Sequence, residues 1–166
     1  SVSNIADEIE EDYQQYGINE FLFLDATFNS SSQRVNDFCE ELLKKNLKVS
    51  WACNMRVTPV SIHMLKLMKR AGCSRIFFGV EDQDLLDETK KATTSHTTAN
   101  AFKMARKVGI STVAFTMLFP REDLNENQYS KQILSTLNDL KADAFQCNIA
   151  IPFPGTAMYE KQQNGV

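Results

Sequence analysis

The sequence predicts a parallel α/β fold, and two observations carry that expectation. Five short apolar stretches alternate with amphipathic stretches of ten or more residues, the pattern of strand-helix-strand crossovers and therefore of a parallel sheet. One of them, Arg75–Asp82, reads Arg-Ile-Phe-Phe-Gly-Val-Glu-Asp and is apolar at successive positions, so both of its faces must be covered, as in an inner parallel strand. It ends in two carboxylates. Ligands of α/β folds lie beyond the carboxyl ends of the strands, which places Glu81 where binding or chemistry is expected.

The elements follow in order. A first helix over Ser3–Tyr16 sets Ile5, Ile9, Tyr13 and Tyr16 at three- and four-residue steps and stops at Gly17. Strand Glu20–Ala26 comes next. The second helix, Ser32–Lys45, carries Val35, Phe38, Cys39, Leu42 and Leu43 on one stripe and ends at Asn46, ahead of strand Lys48–Asn54. A third helix is expected to open with Thr58 as its cap and Pro59 in its first turn, and to close at Gly72 before the strand at Arg75. A short helical stretch Asp84–Lys91 and a Thr/Ser loop lead to helix Thr97–Val108, closed by Gly109, and strand Thr112–Phe119. Helix Glu126–Leu140, strand Phe145–Ile151 and the turn Pro152–Gly155 complete the last full unit, and Thr156–Val166 begins another helix.

Right-handed crossovers leave a doubly wound sheet or part of a (β/α) barrel. The strand tips favour the barrel: Asp25 and Thr27, Asn54 and Arg56, Glu81 and Asp82, and the turns at Pro120 and Pro152 put polar or turn chemistry after all five strands, whereas a doubly wound sheet needs it only at its switch point. Neither Gly-x-Gly-x-x-Gly nor Gly-Lys-Ser/Thr follows any strand, so the standard phosphate cradles are missing.

Composition bounds the function. A chain of 166 residues with 43% hydrophobic residues is one domain with a sizeable core, and a net charge of −3 offers no basic stripe for nucleic acid. No apolar run approaches the roughly 20 residues of a membrane span, and no charged-then-apolar leader opens the sequence; the expected location is cytoplasmic, with neither membrane nor nucleic acid as partner. Cys39, Cys53, Cys73 and Cys147 include no Cys-x-x-Cys pair, and His63 and His96 stand apart, so a metal set is not expected and the cysteines read as small buried apolar residues.

Five collinear strings carry a resemblance: Phe-Leu-Asp-Ala-Thr-Phe (23–28), Trp-Ala-Cys-Asn-Met-Arg-Val (51–57), Met-Leu-Lys-Leu-Met-Lys-Arg-Ala-Gly-Cys (64–73), Phe-Phe-Gly-Val-Glu (77–81) and Pro-Phe-Pro-Gly-Thr (152–156). The chain resembles the radical S-adenosylmethionine (SAM) superfamily, in the branch whose members often carry a cobalamin-binding domain ahead of the barrel. The resemblance implies an incomplete TIM-like barrel of about five strands, the second to sixth units of a six-stranded partial barrel. It implies a parent enzyme in which three cysteines after the first strand hold a [4Fe–4S] cluster and SAM is cleaved to a 5′-deoxyadenosyl radical. That first unit is not among these residues, so 1–166 is expected to be an inactive fragment holding the SAM-facing and substrate-facing wall, with no metal site of its own.

Residue by residue, the resemblance places Asp25 and Thr27 near the SAM amino group, with Ala26 where a second carboxylate is common. Asn54, Arg56 and Glu81 become contacts for the ribose or amino-acid part, Lys90 or Lys91 a partner for the carboxylate, and Met117–Phe119 the wall for adenine. The donor types suit SAM, which offers an ammonium, a carboxylate, a sulfonium and two hydroxyls. Structural alternatives stay open: a solvated helix end for Lys90 and Lys91, and a mutual salt bridge for Arg56 and Glu81. Phe119-Pro120-Arg121-Glu122 departs from the family's Gly-Leu/Phe-Pro-Gly-Glu, setting Leu118 and Arg121 where glycine is usual. Three partner expectations follow: a small-molecule substrate, the N-terminal part of the parent chain, and self-association through the open edge of strand Glu20–Ala26. The rivals are a self-contained flavodoxin-like or receiver-like binding module, which would want an acidic pair where Asp25 stands alone, and a metal-using barrel hydrolase.

Overall fold

The computed structural model describes residues 1–80, 95–118, 125–156 and 158–160. Five parallel strands run β1 (Glu20–Phe23), β2 (Ser50–Met55), β3 (Cys73–Val80), β4 (Ser111–Leu118) and β5 (Ala144–Ile149), side by side in chain order. The helices are α1 (Val2–Tyr16), α2 (Ser32–Lys45), α3 (Ile62–Arg70), α4 (Ser95–Val108) and α5 (Glu126–Leu140), each packed against the next. A doubly wound sheet must reverse its strand order at a switch point, which this one does not. Strict sequential order with every helix beside its successor is the arrangement of an incomplete TIM-like barrel, and it removes the flavodoxin-like alternative.

Capping explains the helix ends. Ser1 accepts from the Asn4 amide and Ser31 from that of Arg34, and Asn125 and Gln128 form a reciprocal capping box. Asn46 and Lys141 end α2 and α5 in the left-handed region, each amide turning back to a carbonyl of the last turn. The third helix departs from expectation. Its cap is Ser61, which accepts from the Met64 amide, and the helix starts at Ile62, leaving Thr58 and Pro59 in the loop. The reason lies in a buried asparagine that holds that loop. β1 is shorter than expected: it ends at Phe23, and beyond it the Asp25 carbonyl accepts from the Asn54 side chain at 3.3 Å. The expected helix Asp84–Lys91 and the Pro120 turn lie outside the described residues.

The sheet has two distinct faces. Toward the helices it presents Phe23, Trp51, Cys53, Met55, Ile76, Phe78, Val80 and Ala114, and against them lie Ile9, Val35, Phe38, Leu42, Leu65, Met68 and Phe102. Phe23, Phe28, Phe38 and Trp51 make a mutual aromatic cluster with centroids 5.1 to 5.7 Å apart, in edge-on and tilted geometries that suit ring quadrupoles. The Trp51 indole N–H donates to the Ala71 carbonyl at 2.8 Å, so no polar atom of the cluster is stranded. The opposite face is the concave interior of the incomplete barrel.

Candidate active site

Strand register assigns the interior face. Ala52 lies beside Arg75, Asn54 beside Phe77 and Val113, Gly79 beside Phe115 and Gln146, and Met117 beside Asn148. Alternation along each strand points these side chains away from the helix layer. The face therefore holds an apolar centre, Phe77, Phe115 and Met117, flanked by the carboxamides Asn54, Gln146 and Asn148. Met117 keeps 40% of its surface exposed, as an interior wall facing open space requires. Gln146 and Asn148 were not singled out from sequence, although the alternation Gln-Cys-Asn carried the signal.

The carboxyl edge is built from the turns after β1 and β2. Asp25 is not the unaccompanied charge the sequence suggested: its carboxylate stands 3.8 Å from Arg34 of α2, both side chains about two-fifths exposed. Asn54 bridges to the Asp25 backbone, tying the first two strand tips together. Thr27 begins the turn at Phe28–Ser30 without capping it by its side chain. Arg56 follows β2 with its side chain exposed, while its backbone is gripped by Asn29: the Arg56 N–H donates to Asn29 Oδ1, and Asn29 Nδ2 donates to the carbonyls of Arg56 and Pro59, all at 2.9 Å. Asn29 is wholly buried. Sequence reasoning missed it because its partners lie 27 and 30 residues away. Asp25, Asn54, Arg56 and Met117 thus share the carboxyl side of the sheet; Glu81, Lys90, Lys91 and Phe119 lie outside the described residues.

The cysteines lie elsewhere. Cys39, Cys53 and Cys73 are buried beneath the helices. Burial, with Cys73 and Glu40 nearby, pushes the Cys39 thiol up to about 12, and a hydrogen bond with Cys73 together with burial pushes Cys53 higher still. Thiols so perturbed stay protonated at neutral pH and are neither nucleophiles nor ready metal ligands. Cys147 is a correction, for it is exposed: it shares the outer side of β5 with Phe145 and Ile149, which are also exposed. Among the described residues no three His, Cys, Asp or Glu side chains are grouped to hold a metal, and no helix is long and apolar enough to cross a membrane.

The family model of the radical SAM superfamily matches residues 1–133. The chain belongs to the radical SAM superfamily. It is 31% identical over 163 residues to an uncharacterised methyltransferase of Pyrococcus horikoshii, covering 96% of this chain and 35% of that protein. It is 32% identical over 114 residues to the anaerobic magnesium-protoporphyrin IX monomethyl ester cyclase of Rubrivivax gelatinosus, covering 66% of this chain and 20% of that one. The chain spans about a third or less of the length of these relatives. In fold it is similar to the radical SAM methyltransferase TsrM of Kitasatospora setae, a structure with cobalamin and a [4Fe–4S] cluster bound, at a TM-score of 0.78 and 16% identity over 92% of this chain and 31% of that one.

Radical SAM enzymes use SAM and a [4Fe–4S] cluster, and the described residues fit these two groups unequally. A cluster needs thiolates open to it, and Cys39, Cys53 and Cys73 are buried on the helix side of the sheet, so no cluster site is formed among the described residues. SAM needs charged and polar groups at an open strand edge, and Asp25, Asn54 and Arg56 supply a carboxylate, a carboxamide and a guanidinium there.

Proposed function

We propose that this chain is the SAM-facing and substrate-facing wall of a radical SAM barrel, the second to sixth units of its parent enzyme. The observation that carries the proposal is the convergence of Asp25, Asn54, Arg56 and Met117 on the carboxyl side of five sequentially ordered parallel strands. When bound in the parent, the cluster supplies the electron that cleaves SAM; the residues here bind and orient. Asp25 and Thr27 receive the SAM ammonium, Asn54, Arg56 and Glu81 its ribose and amino-acid part, Lys91 its carboxylate, and Met117 and Phe119 the adenine. The apolar centre of the interior face, bordered by Gln146 and Asn148, receives a small-molecule substrate and excludes water from it.

By itself the chain is inactive in this reading and binds SAM weakly, since its polar contacts are screened by solvent. β1 has only β2 beside it among the described residues, and Leu22 and Leu24 are 55% and 78% exposed. This edge is where we place the preceding part of the parent chain, and, in its absence, self-association. Cobalamin in the parent belongs to the same proposal, and the visible spectrum of the purified protein decides it. The test is SAM binding by the full-length protein: Arg56→Ala and Asn54→Ala are expected to weaken it about tenfold each, one charged or polar contact apiece, with iron content unchanged. Unchanged affinity in both variants, or SAM cleavage by residues 1–166 alone, would overturn the assignment.

A further inference from the structure

We propose that Asn29 is a positioning residue for SAM binding: its buried carboxamide clamps the backbone on both sides of Arg56 and so aims the Arg56 side chain across the carboxyl edge. The inference rests on the reading of Arg56 as a SAM contact. A guanidinium binds well only when its fork is pre-aligned with its partner, yet Arg56 is an exposed residue of a loop, where the backbone would ordinarily be free to drift. Here it is not. The residue's own N–H and C=O are both bonded to a single planar group, at 2.9 Å each, and the same group reaches the Pro59 carbonyl at 2.9 Å. Pinning the amide and the carbonyl of one residue to one rigid plane fixes its φ and ψ, and with them the direction of its Cα–Cβ bond.

The clamp is itself immobilised. Phe28, next to Asn29, is buried in the aromatic cluster, and Met55 and Val57 on either side of Arg56 are 3% and 5% exposed. The Ser30 amide closes the turn onto the Thr27 carbonyl, and Ser31 goes on to cap α2. A path of fixed groups thus runs from the core to Arg56. Asparagine is the side chain this geometry needs, because two amide hydrogens and one carbonyl oxygen satisfy two carbonyls and one N–H. Aspartate would set a carboxylate against two carbonyl oxygens, and a residue without the amide would leave three backbone groups unpaired.

A merely structural asparagine would lower stability without acting through Arg56, so the test is a double-mutant cycle in the full-length protein. SAM affinity is measured by equilibrium dialysis for Asn29→Ala, Arg56→Ala and the pair, with Asn29→Ser as the milder variant should Asn29→Ala fail to fold. Each single change is expected to weaken SAM about tenfold, and the pair no more than Arg56→Ala alone, because residues acting through one another are not additive. Amide hydrogen exchange gives a second readout: at Arg56 it should accelerate in the Asn29 variants, while Cys53 and Met55 in β2 keep their protection. Additive losses in the pair, or unchanged exchange at Arg56, would overturn the clamp. Unchanged SAM affinity in Arg56→Ala, with accelerated exchange in the Asn29 variants, would overturn the role of Arg56 and the aiming inference with it, leaving the clamp as a stabilising contact only.

Discussion

The two ends of the sheet are held together by different means. At the amino ends, polar groups close onto backbone. The Asp143 carboxylate accepts from the Thr112 N–H at 2.7 Å and the Thr112 hydroxyl at 3.2 Å, and Arg106 donates to the Leu140 and Lys141 carbonyls at 3.3 and 3.1 Å, satisfying the end of α5. Gly72 brings its backbone directly against Val49. At the carboxyl ends the backbone is held by Asn29, Asn54 and the helix caps, and the side chains of Asp25, Arg56 and Met117 are left exposed. One end uses its polar groups for stability, while the other holds its loops with the Asn29 and Asn54 carboxamides and leaves the charges of Asp25 and Arg56 at the surface, Asp25 beside Arg34. In a barrel this is the division expected between a stability face and a catalytic face.

Breaking the amino end should therefore cost the most. Gly72 has φ of 98°, and a Cβ there would lie 2.2 Å from the Val49 carbonyl oxygen, a backbone atom that can retreat only if β2 moves with it. Gly72→Ala is expected to lower unfolding free energy by about 2–4 kcal/mol, combining a left-handed conformation with a main-chain clash, as measured by urea denaturation. A loss below about 0.5 kcal/mol would mean that the two strands are not locked together at this end.

A smaller effect at the same end is expected for Asp143. Its hydrogen bonds, chiefly that from the Thr112 backbone, hold its carboxyl below the usual carboxylate range. A depressed folded value means that the contribution is present above the unfolded value of about 4 and lost as pH falls through the folded one. Asp143→Asn should cost about 1 kcal/mol near neutrality, the figure for a charge-assisted bond reduced for solvent exposure. The deficit should shrink toward zero as the two proteins are titrated below pH about 4. A deficit that stays constant to low pH would assign the effect to packing and not to charge.

Much of this division was legible in the sequence, because its largest parts are periodic. Helical stripes, the stops at Gly17, Asn46 and Gly109, and polar residues after each strand were enough to order the elements and to choose the barrel over the doubly wound sheet. What escaped depends on partners distant in sequence. Thr58-Pro59 is a good local helix start, but the segment was already committed to Asn29, and only the folded chain brings the two together. Asp25 looked unaccompanied because Arg34 approaches it from α2. Cys147 read as buried because free cysteine is among the most buried residue types, but the outer side of β5 is open among the described residues.

The smallest expected effect is the one that sharpens the comparison most. Arg56→Ala removes a side chain that is exposed and whose neighbours Met55 and Val57 remain buried, while every hydrogen bond from Asn29 goes to the backbone and survives the change. Surface substitutions of this kind alter stability by no more than about 0.5 kcal/mol. Urea unfolding of Arg56→Ala should therefore overlay that of the parent, even though the same substitution is expected to weaken SAM binding in the full-length protein. Asn29→Ala, which leaves the backbone groups unpaired, should be destabilised by about 1–3 kcal/mol in the same assay. If Arg56→Ala instead unfolded as readily as Asn29→Ala, the guanidinium would be part of the scaffold, and the carboxyl end would be stabilised in the same way as the amino end.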